Sequence, residues 1–451
     1  VAPGTERRLL RVALVGGVGI RLLLLVSGGT GTDRFLFPDS AGYRNVAAHL
    51  PGALIDPGAA VVSDSLARTP GYPTFLVVTG GRWWIWAALV AQCVLGGAAN
   101  VWLAHRLARR VGGPAVAGLA ALAVAFDPAS ILHSLLVATE TLTTTALLAT
   151  LVLLIEAWDR LAHDRALAAT IAAGATLGIG ALVRPTLALG VPIAAAALAV
   201  AGRSRRALAA AAAIVVVAAV PIGSWAVRND RVGGAPVLTT VTGQDLADFG
   251  LAASAAEDGR LGWRLPDRIR TSAILEAQAR RDGVEGPIDG DATSVATDRR
   301  WRADGRRLLA HHPRGAAMVA VGALARTLGA PGHTGFEPHL PAWLWPIVRV
   351  PLAVVGVVWA VALTATATAG VLRALRDRRW LLLVAVALPT ALYLGGSLGP
   401  WMYLRFRVPV TPLLAILAAS AIVGGRADPD RRRAAPTAVA PAEPTGSARP
   451  T

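Results

Sequence analysis

The 451 residues include one cysteine, two methionines and no lysine. The lone Cys93 lies in an apolar run, which excludes an intrachain disulfide and a cysteine-built metal cluster. Charge is also scarce, at 16% of residues against about 25% in a typical soluble domain. No glycine-rich P-loop and no dinucleotide fingerprint occurs, so nothing supports a soluble nucleotide as a substrate. Strict apolar/polar alternation is missing too. Stretches such as ALAAAAAIVVVAAV (207–220) do not read as barrel strands, which leaves helices as the way to cross lipid. No internal repeat stands out.

What is present is apolar length. Hydrophobic residues make up 54% of the chain, mean hydropathy is +0.53, and runs of roughly twenty apolar residues recur throughout. The fold class is therefore an all-α, polytopic membrane helical bundle. Spans are expected near 9–28, 83–108, 114–131, 134–156, 166–182, 185–202, 206–227, 342–372, 380–398 and 402–424. The run 315–330 is shorter, carries Arg326 and reads as interfacial or re-entrant, so the count is ten, or eleven if it crosses. The first run lacks a small-residue cleavage site and reads as a retained span.

All 44 basic residues are arginines and the net charge is +16. They cluster in short loops, RLARR (106–110), WDRLAHDR (158–165), GRSRR (202–206) and LRALRDRR (372–379), which is the positive-inside pattern rather than a nucleic-acid surface. Orientation follows: both termini cytoplasmic in a cell (plasma) membrane, with two long segments, 29–82 and 228–341, on the outer side. The expected organisation is a transmembrane domain over 1–424 and a disordered Pro/Ala/Arg-rich cytoplasmic tail over 425–451.

This topology gathers polar residues from distant parts of the chain at one face. Asp33, Asp39, Tyr43 and Arg68 lie in the first outer segment. Glu140 lies near the outer end of the fourth span, Arg184 begins the sixth, Arg228 ends the seventh, and Arg405 and Arg407 begin the last. Ionisable groups at membrane depth are costly and are candidates for function. Arginines grip phosphate through paired charge-assisted hydrogen bonds, and a carboxylate can deprotonate an attacking hydroxyl or amine. Together they suit group transfer from a lipid-linked phosphate donor.

Each residue also has a plainer reading. Asp39 would serve as an N-cap for the helix starting near 41. Asp33 would be a solvated loop residue, Tyr43 an interfacial anchor, and Arg68 a partner for Asp64. Glu140 would pair structurally with an arginine, and Arg184 and Arg228 would snorkel. His311 and His312, like His333 and His339, lack an obvious third ligand, so no metal set is assigned and a divalent cofactor has no clear support. The thirteen tryptophans read as an aromatic belt.

The ordered series PDSAGYRNVA (38–47), ARTPGYPTFL (67–76), DPASILHSLLVATETL (127–142), LVRPTLAL (182–189), PIGSWAVRNDRVGG (221–234), TTVTGQDL (239–246), HHPRGAAMVAV (311–321) and YLRFRVPVTPLL (403–414) resembles the GT-C membrane glycosyltransferases. Within them it is most similar to the protein-mannosyltransferase-like, aminoarabinose-transferase-like set of glycosyltransferase family 39 type. The resemblance covers about 1–424. It implies Asp39 as catalytic base and arginines holding the donor phosphate. The implied reaction moves a sugar from a polyprenyl-phosphate-linked donor, with inversion, to a lipid, glycan or protein acceptor at the outer face. Some relatives carry a paired acidic motif in this loop; here it is Asp39-Ser40, which departs from a metal-binding pair. Two other classes remain beside this one: a lipid or small-molecule transporter or flippase, and a non-catalytic cell-envelope scaffold.

Overall fold

The computed structural model describes residues 3–27, 31–55, 59–161, 166–202, 204–262, 268–285 and 294–424. The tail expected to be disordered, 425–451, lies outside them. Among the described residues all regular structure is helical.

Among the described residues seven helices are long and apolar enough to cross a bilayer: Gly4–Ser27, Ile85–Gly112, Glu140–Arg160, Ala166–Val183, Arg205–Gly233, Trp345–Arg376 and Leu404–Val423. Two further apolar helices, Pro185–Val200 and Trp380–Gly395, are shorter. The expected straight span 114–131 is instead a broken pair, Pro114–Ala125 and Pro128–Ser134, bent by 53°. The cause is local. Pro128 cannot continue the preceding helix, and Asp127 caps the next one by accepting a 2.7 Å bond from the Ser130 amide. The span expected from 134 begins at Glu140, because 135–139 is unwound after the short helix ends. The helix Pro313–Gly329 is not among the described helices long and apolar enough to cross, although its Ala323 joins the core of the spans. It packs on Val241–Glu257, and its Gly315 amide donates to Glu257 at 2.8 Å.

The bundle closes through small residues. A Cβ on Gly97 would come within 2.6 Å of the Val18 backbone nitrogen, so the helices Pro3–Ser27 and Ile85–Gly112 touch nearly backbone to backbone. Within Ile85–Gly112 the stretch Leu95–Ala99 widens to a π turn at this contact.

Glu140 and Asp159 lie near opposite ends of Glu140–Arg160, about 28 Å apart at the helical rise, close to the thickness of a hydrocarbon core. Ion pairs mark the Asp159 end, Arg110 with Asp159 at 2.9 Å and Arg106 with Glu156, and His105 lies 3.0 Å from Glu6. At the Glu140 end lie the two long polar segments. They interlock: Arg228 donates to the Ala53 carbonyl at 2.6 Å and to Ser65 Oγ at 2.8 Å, Thr239 Oγ1 donates to the Ala67 carbonyl at 2.7 Å, and the Thr240 amide to the Leu66 carbonyl at 3.1 Å.

Candidate active site

The helix Ser40–Ala48 starts with Asp39 at its N-cap position, but the carboxylate makes no capping bond. Ser40 fixes the segment instead. Its hydroxyl accepts from the Phe37 amide at 2.7 Å and donates to the Val137 carbonyl at 2.7 Å, while the Val137 amide donates to the Phe35 carbonyl at 2.8 Å. The unwound stretch 135–139 thus serves as the rail on which the first long polar segment docks. Gln92 secures that rail from below, donating to the Leu136 carbonyl at 2.7 Å.

Asp39 is left to face two arginines. Its Oδ2 accepts from Arg405 Nη1 at 2.6 Å and its Oδ1 from Arg68 Nη2 at 3.3 Å. Burial would push the Asp39 carboxyl up, but Arg405 and Arg68 outweigh it and hold it at about 2. Beside this pair, Arg184 Nη1 reaches Glu140 Oε1 at 2.9 Å, and the Thr139 hydroxyl accepts from the same nitrogen at 3.4 Å. Arg405 Nε lies 4.0 Å from Glu140 Oε1, so the two ion pairs form one network. Aromatic faces wall it: Arg405 lies 5.2 Å from the Phe37 ring centre, 5.5 Å from Tyr403 and 5.0 Å from Phe406, and Arg184 lies 4.7 Å from Phe406.

The network retains unused hydrogen-bonding capacity. Glu140 is 1% exposed, yet its Oε2 has no hydrogen-bond partner, and neither does Arg405 Nε. Buried polar groups are normally satisfied, so unspent donors and acceptors within a cluster of charge make it a candidate site.

Of the residues expected at the site, the structure brings together Asp39, Tyr43, Arg68, Glu140, Arg184 and Arg405. Tyr43 lies 5.5 Å below the Arg68 guanidinium and packs edge-on against Tyr72; burial and the Asp39 carboxylate push its phenol up to about 12. Arg68 pairs with Asp39 rather than with Asp64, which accepts from Asn45 at 2.6 Å. Arg228, expected as a phosphate ligand, is committed elsewhere. It is buried against Trp225 and holds Ala53, Ser65 and the Asn229 side chain, bracing the two long polar segments. Arg407 is likewise drawn inward, because residue 407 sits on a tight turn that aims it at the Leu328 carbonyl, 2.9 Å away. Asp33 is exposed on the turn Asp33–Phe35 and takes no part in the network. His311 ends a helix and His312 pairs with Glu257 at 3.1 Å, while the His333 side chain lies outside the described residues. Among the described residues no group of three or more His, Cys, Asp or Glu side chains converges as a metal site.

Two residues were not singled out from sequence. Tyr393, in the helix Leu388–Gly395, is buried with its hydroxyl unpartnered, 6.0 Å from ring centre to the Arg184 guanidinium carbon. In the sequence it reads as one more aromatic in an apolar run, and only its burial beside Arg184 distinguishes it. Asp245 stands on the helix Val241–Glu257 within the electrostatic reach of Arg405, Asp39, Arg184 and Arg68. Its signal was an aspartate within TTVTGQDL, an otherwise uncharged stretch.

Residues 75–225, about a third of the chain, match the family model described as dolichyl-phosphate-mannose-protein mannosyltransferase. The oligosaccharyltransferase of Archaeoglobus fulgidus in its apo form is similar in fold, with a TM-score of 0.51 at 15% identity, covering 94% of this chain and 51% of that one. The same organism's oligosaccharyltransferase AglB, in complex with an inhibitory peptide and a dolichol-phosphate, gives a TM-score of 0.48 at 16% identity, covering 93% and 50%. ArnT from Cupriavidus metallidurans, bound to undecaprenyl phosphate, gives 0.39 at 16% identity, covering 94% and 78%. This chain therefore spans about half the length of the archaeal structures it matches. No curated protein matches it. The chain is a multi-pass membrane protein; a third of it is similar to this mannosyltransferase family, and its fold is similar to that of the archaeal oligosaccharyltransferase.

Proposed function

We propose that the protein transfers a sugar from a polyprenyl-phosphate-linked donor to a lipid, glycan or protein acceptor at the outer face of the cell membrane, with both termini cytoplasmic. In this reading, residues 1–424 act as one transmembrane domain. The observation that carries the reading is the coupled network Asp39–Arg405–Glu140–Arg184, with its unpartnered Glu140 Oε2 and Arg405 Nε.

The chemistry follows from these groups. The donor's phosphate is drawn to Arg405 and Arg184, whose guanidinium groups match its oxygens. A carboxylate held at about 2 is a weak base, so Asp39 is restrained while the site is empty. Phosphate competing for Arg405 relieves that restraint and raises the basicity of Asp39. Asp39 then takes the proton of the acceptor's hydroxyl or amine. The acceptor atom bonds to the anomeric carbon, the bond from that carbon to the phosphate oxygen breaks, and its electron pair stays on the leaving polyprenyl phosphate. Arg405 and Arg184 stabilise the charge that grows there. A single direct displacement inverts the anomeric centre. Glu140 keeps Arg184 in place rather than acting as base, because its side chain is 2% exposed against 23% for Asp39, which leaves Asp39 the carboxylate an acceptor can reach.

The test is transfer from a panel of radiolabelled polyprenyl-phosphate sugars to native membrane extracts by the purified protein and its Asp39→Asn variant. Labelled product from the wild type alone is the expected result. An active Asp39→Asn protein removes Asp39 from the mechanism. Substrate flux without a covalent product points to transport instead.

A further inference from the structure

The helix Val241–Glu257 is clamped on both sides of Asp245. Before it, the Thr239 hydroxyl and the Thr240 amide bond to the Ala67 and Leu66 carbonyls, immediately ahead of Arg68. After it, Asp248 accepts a 2.6 Å bond from Trp401 Nε1, just ahead of Arg405. Asp245 is three residues before Asp248 and therefore on a neighbouring part of the same helical surface. The stretch carrying it bridges the two chain segments whose arginines grip Asp39.

Its surroundings are unusual for a carboxylate. The side chain is exposed, yet it feels Arg405, Asp39, Arg184 and Arg68 from the elements packed around it. Among the described residues it forms no hydrogen bond or ion pair with any of them, since Asp39 and Glu140 already occupy those arginines. Solvent reaches Asp245, and desolvation by the elements packed around it lifts its carboxyl to about 6, against the pull of Arg405.

A negative group here repels a phosphate, so the donor's head is not its ligand. It suits a molecule that presents hydrogen-bond donors from the water side, because Asp245 belongs to the polar outer segment while Arg184 and Arg405 adjoin the spans. We propose that Asp245 is the acceptor-binding carboxylate of the site, receiving hydrogen bonds from the hydroxyls of a polyhydroxylated acceptor and holding the attacking oxygen beside Asp39. The inference rests on the glycosyl-transfer reading and deepens it on the acceptor side. The attacking hydroxyl's proton goes to Asp39; Asp245 binds and orients. Its ionised form binds the acceptor better, so acceptor affinity falls as pH drops through about 6.

The experiment titrates a membrane-extract acceptor fraction at saturating radiolabelled polyprenyl-phosphate sugar, from about pH 5 to about pH 8, across the range in which a carboxyl near 6 titrates. It uses wild type, Asp245→Asn and Asp245→Glu, and measures the affinity of each for unglycosylated polyprenyl phosphate by calorimetry. Asp245→Asn is expected to raise the acceptor KM about ten-fold or more, the effect of losing hydrogen bonds to a charged group. Polyprenyl-phosphate affinity stays at the wild-type value, the acid limb of the KM profile disappears, and Asp245→Glu recovers part of the affinity. An unchanged KM and pH profile in Asp245→Asn overturns the assignment. So does an equal loss of polyprenyl-phosphate affinity, which marks a structural role. A wild-type protein that binds polyprenyl phosphate but transfers nothing overturns the parent reading, and this one with it.

Discussion

Asp127 and Glu140 lie at the two ends of the broken stretch between the helices Pro114–Ala125 and Glu140–Arg160, and both are buried, at 0% and 1% exposure. Their hydrogen bonding separates them. Asp127 is fully used: Oδ2 accepts from the Ser130 amide at 2.7 Å and hydroxyl at 2.8 Å, and Oδ1 accepts from Trp359 Nε1 at 2.8 Å. Glu140 spends Oε1 on Arg184 and leaves Oε2 without a partner. Burial of an acid in a membrane bundle is thus a poor guide to function by itself. Asp127 builds a kink, whereas Glu140 helps to hold a charge network in which Glu140 Oε2 and Arg405 Nε stay without a hydrogen-bond partner.

Mutations can sharpen this contrast. Glu140→Gln leaves the Arg184 guanidinium buried without its counter-charge, and is expected to cost about 3–5 kcal/mol of stability, read as thermal unfolding in detergent. An equally stable Glu140→Gln protein would break the claim that the pair is structural support for the site. Arg405→Ala is expected to lower the transfer rate at saturating donor by about a hundred- to a thousand-fold, as removal of one charge-stabilising donor does. Arg405→Lys should recover little, because an ammonium cannot reproduce the forked contact.

The pH dependence tests the same network more gently. The folded-state carboxyl of Asp39 is lowered, to about 2, from an ordinary value near 3.8. Its contribution is therefore complete above about pH 4 and is lost as pH falls toward about 2. The difference in unfolding stability between wild type and Asp39→Asn should shrink over that window by about 2 kcal/mol. The smallest expected effect is Asp127→Asn, a loss of about 1 kcal/mol of stability with no separate change in transfer chemistry. A selective loss of transfer in Asp127→Asn would erase the distinction between the two acids.

Much of the cluster around Asp39 was legible in the sequence. Asp39, Arg184 and Arg405 were recoverable because an apolar chain makes each ionisable group conspicuous, and span counting places them on one side. Arg228 and Arg407 were conspicuous for the same reason but do different work. Sequence position puts an arginine at a membrane face, but it does not say whether the guanidinium turns toward a ligand or toward backbone carbonyls such as those of Ala53 and Leu328. Asp245 and Tyr393 failed in the opposite way. An aspartate in a water-side helix and a tyrosine in a span are ordinary until packing sets them beside Arg405 and Arg184.

The sequence by itself determined that this is a helical membrane protein, where most spans run and which end of the bundle collects acids and arginines. Those properties follow from hydropathy summed over about twenty residues and from the cost of charge in lipid, both local quantities. Tertiary structure alone decided that the third span breaks at Asp127–Pro128 and that Asp39 pairs with Arg405 and Arg68 instead of capping its helix. It also set Asp245 between the two clamps. The reason is that hydrogen bonds and ion pairs between residues hundreds of positions apart depend on distances of a few ångströms, which only the packed bundle fixes.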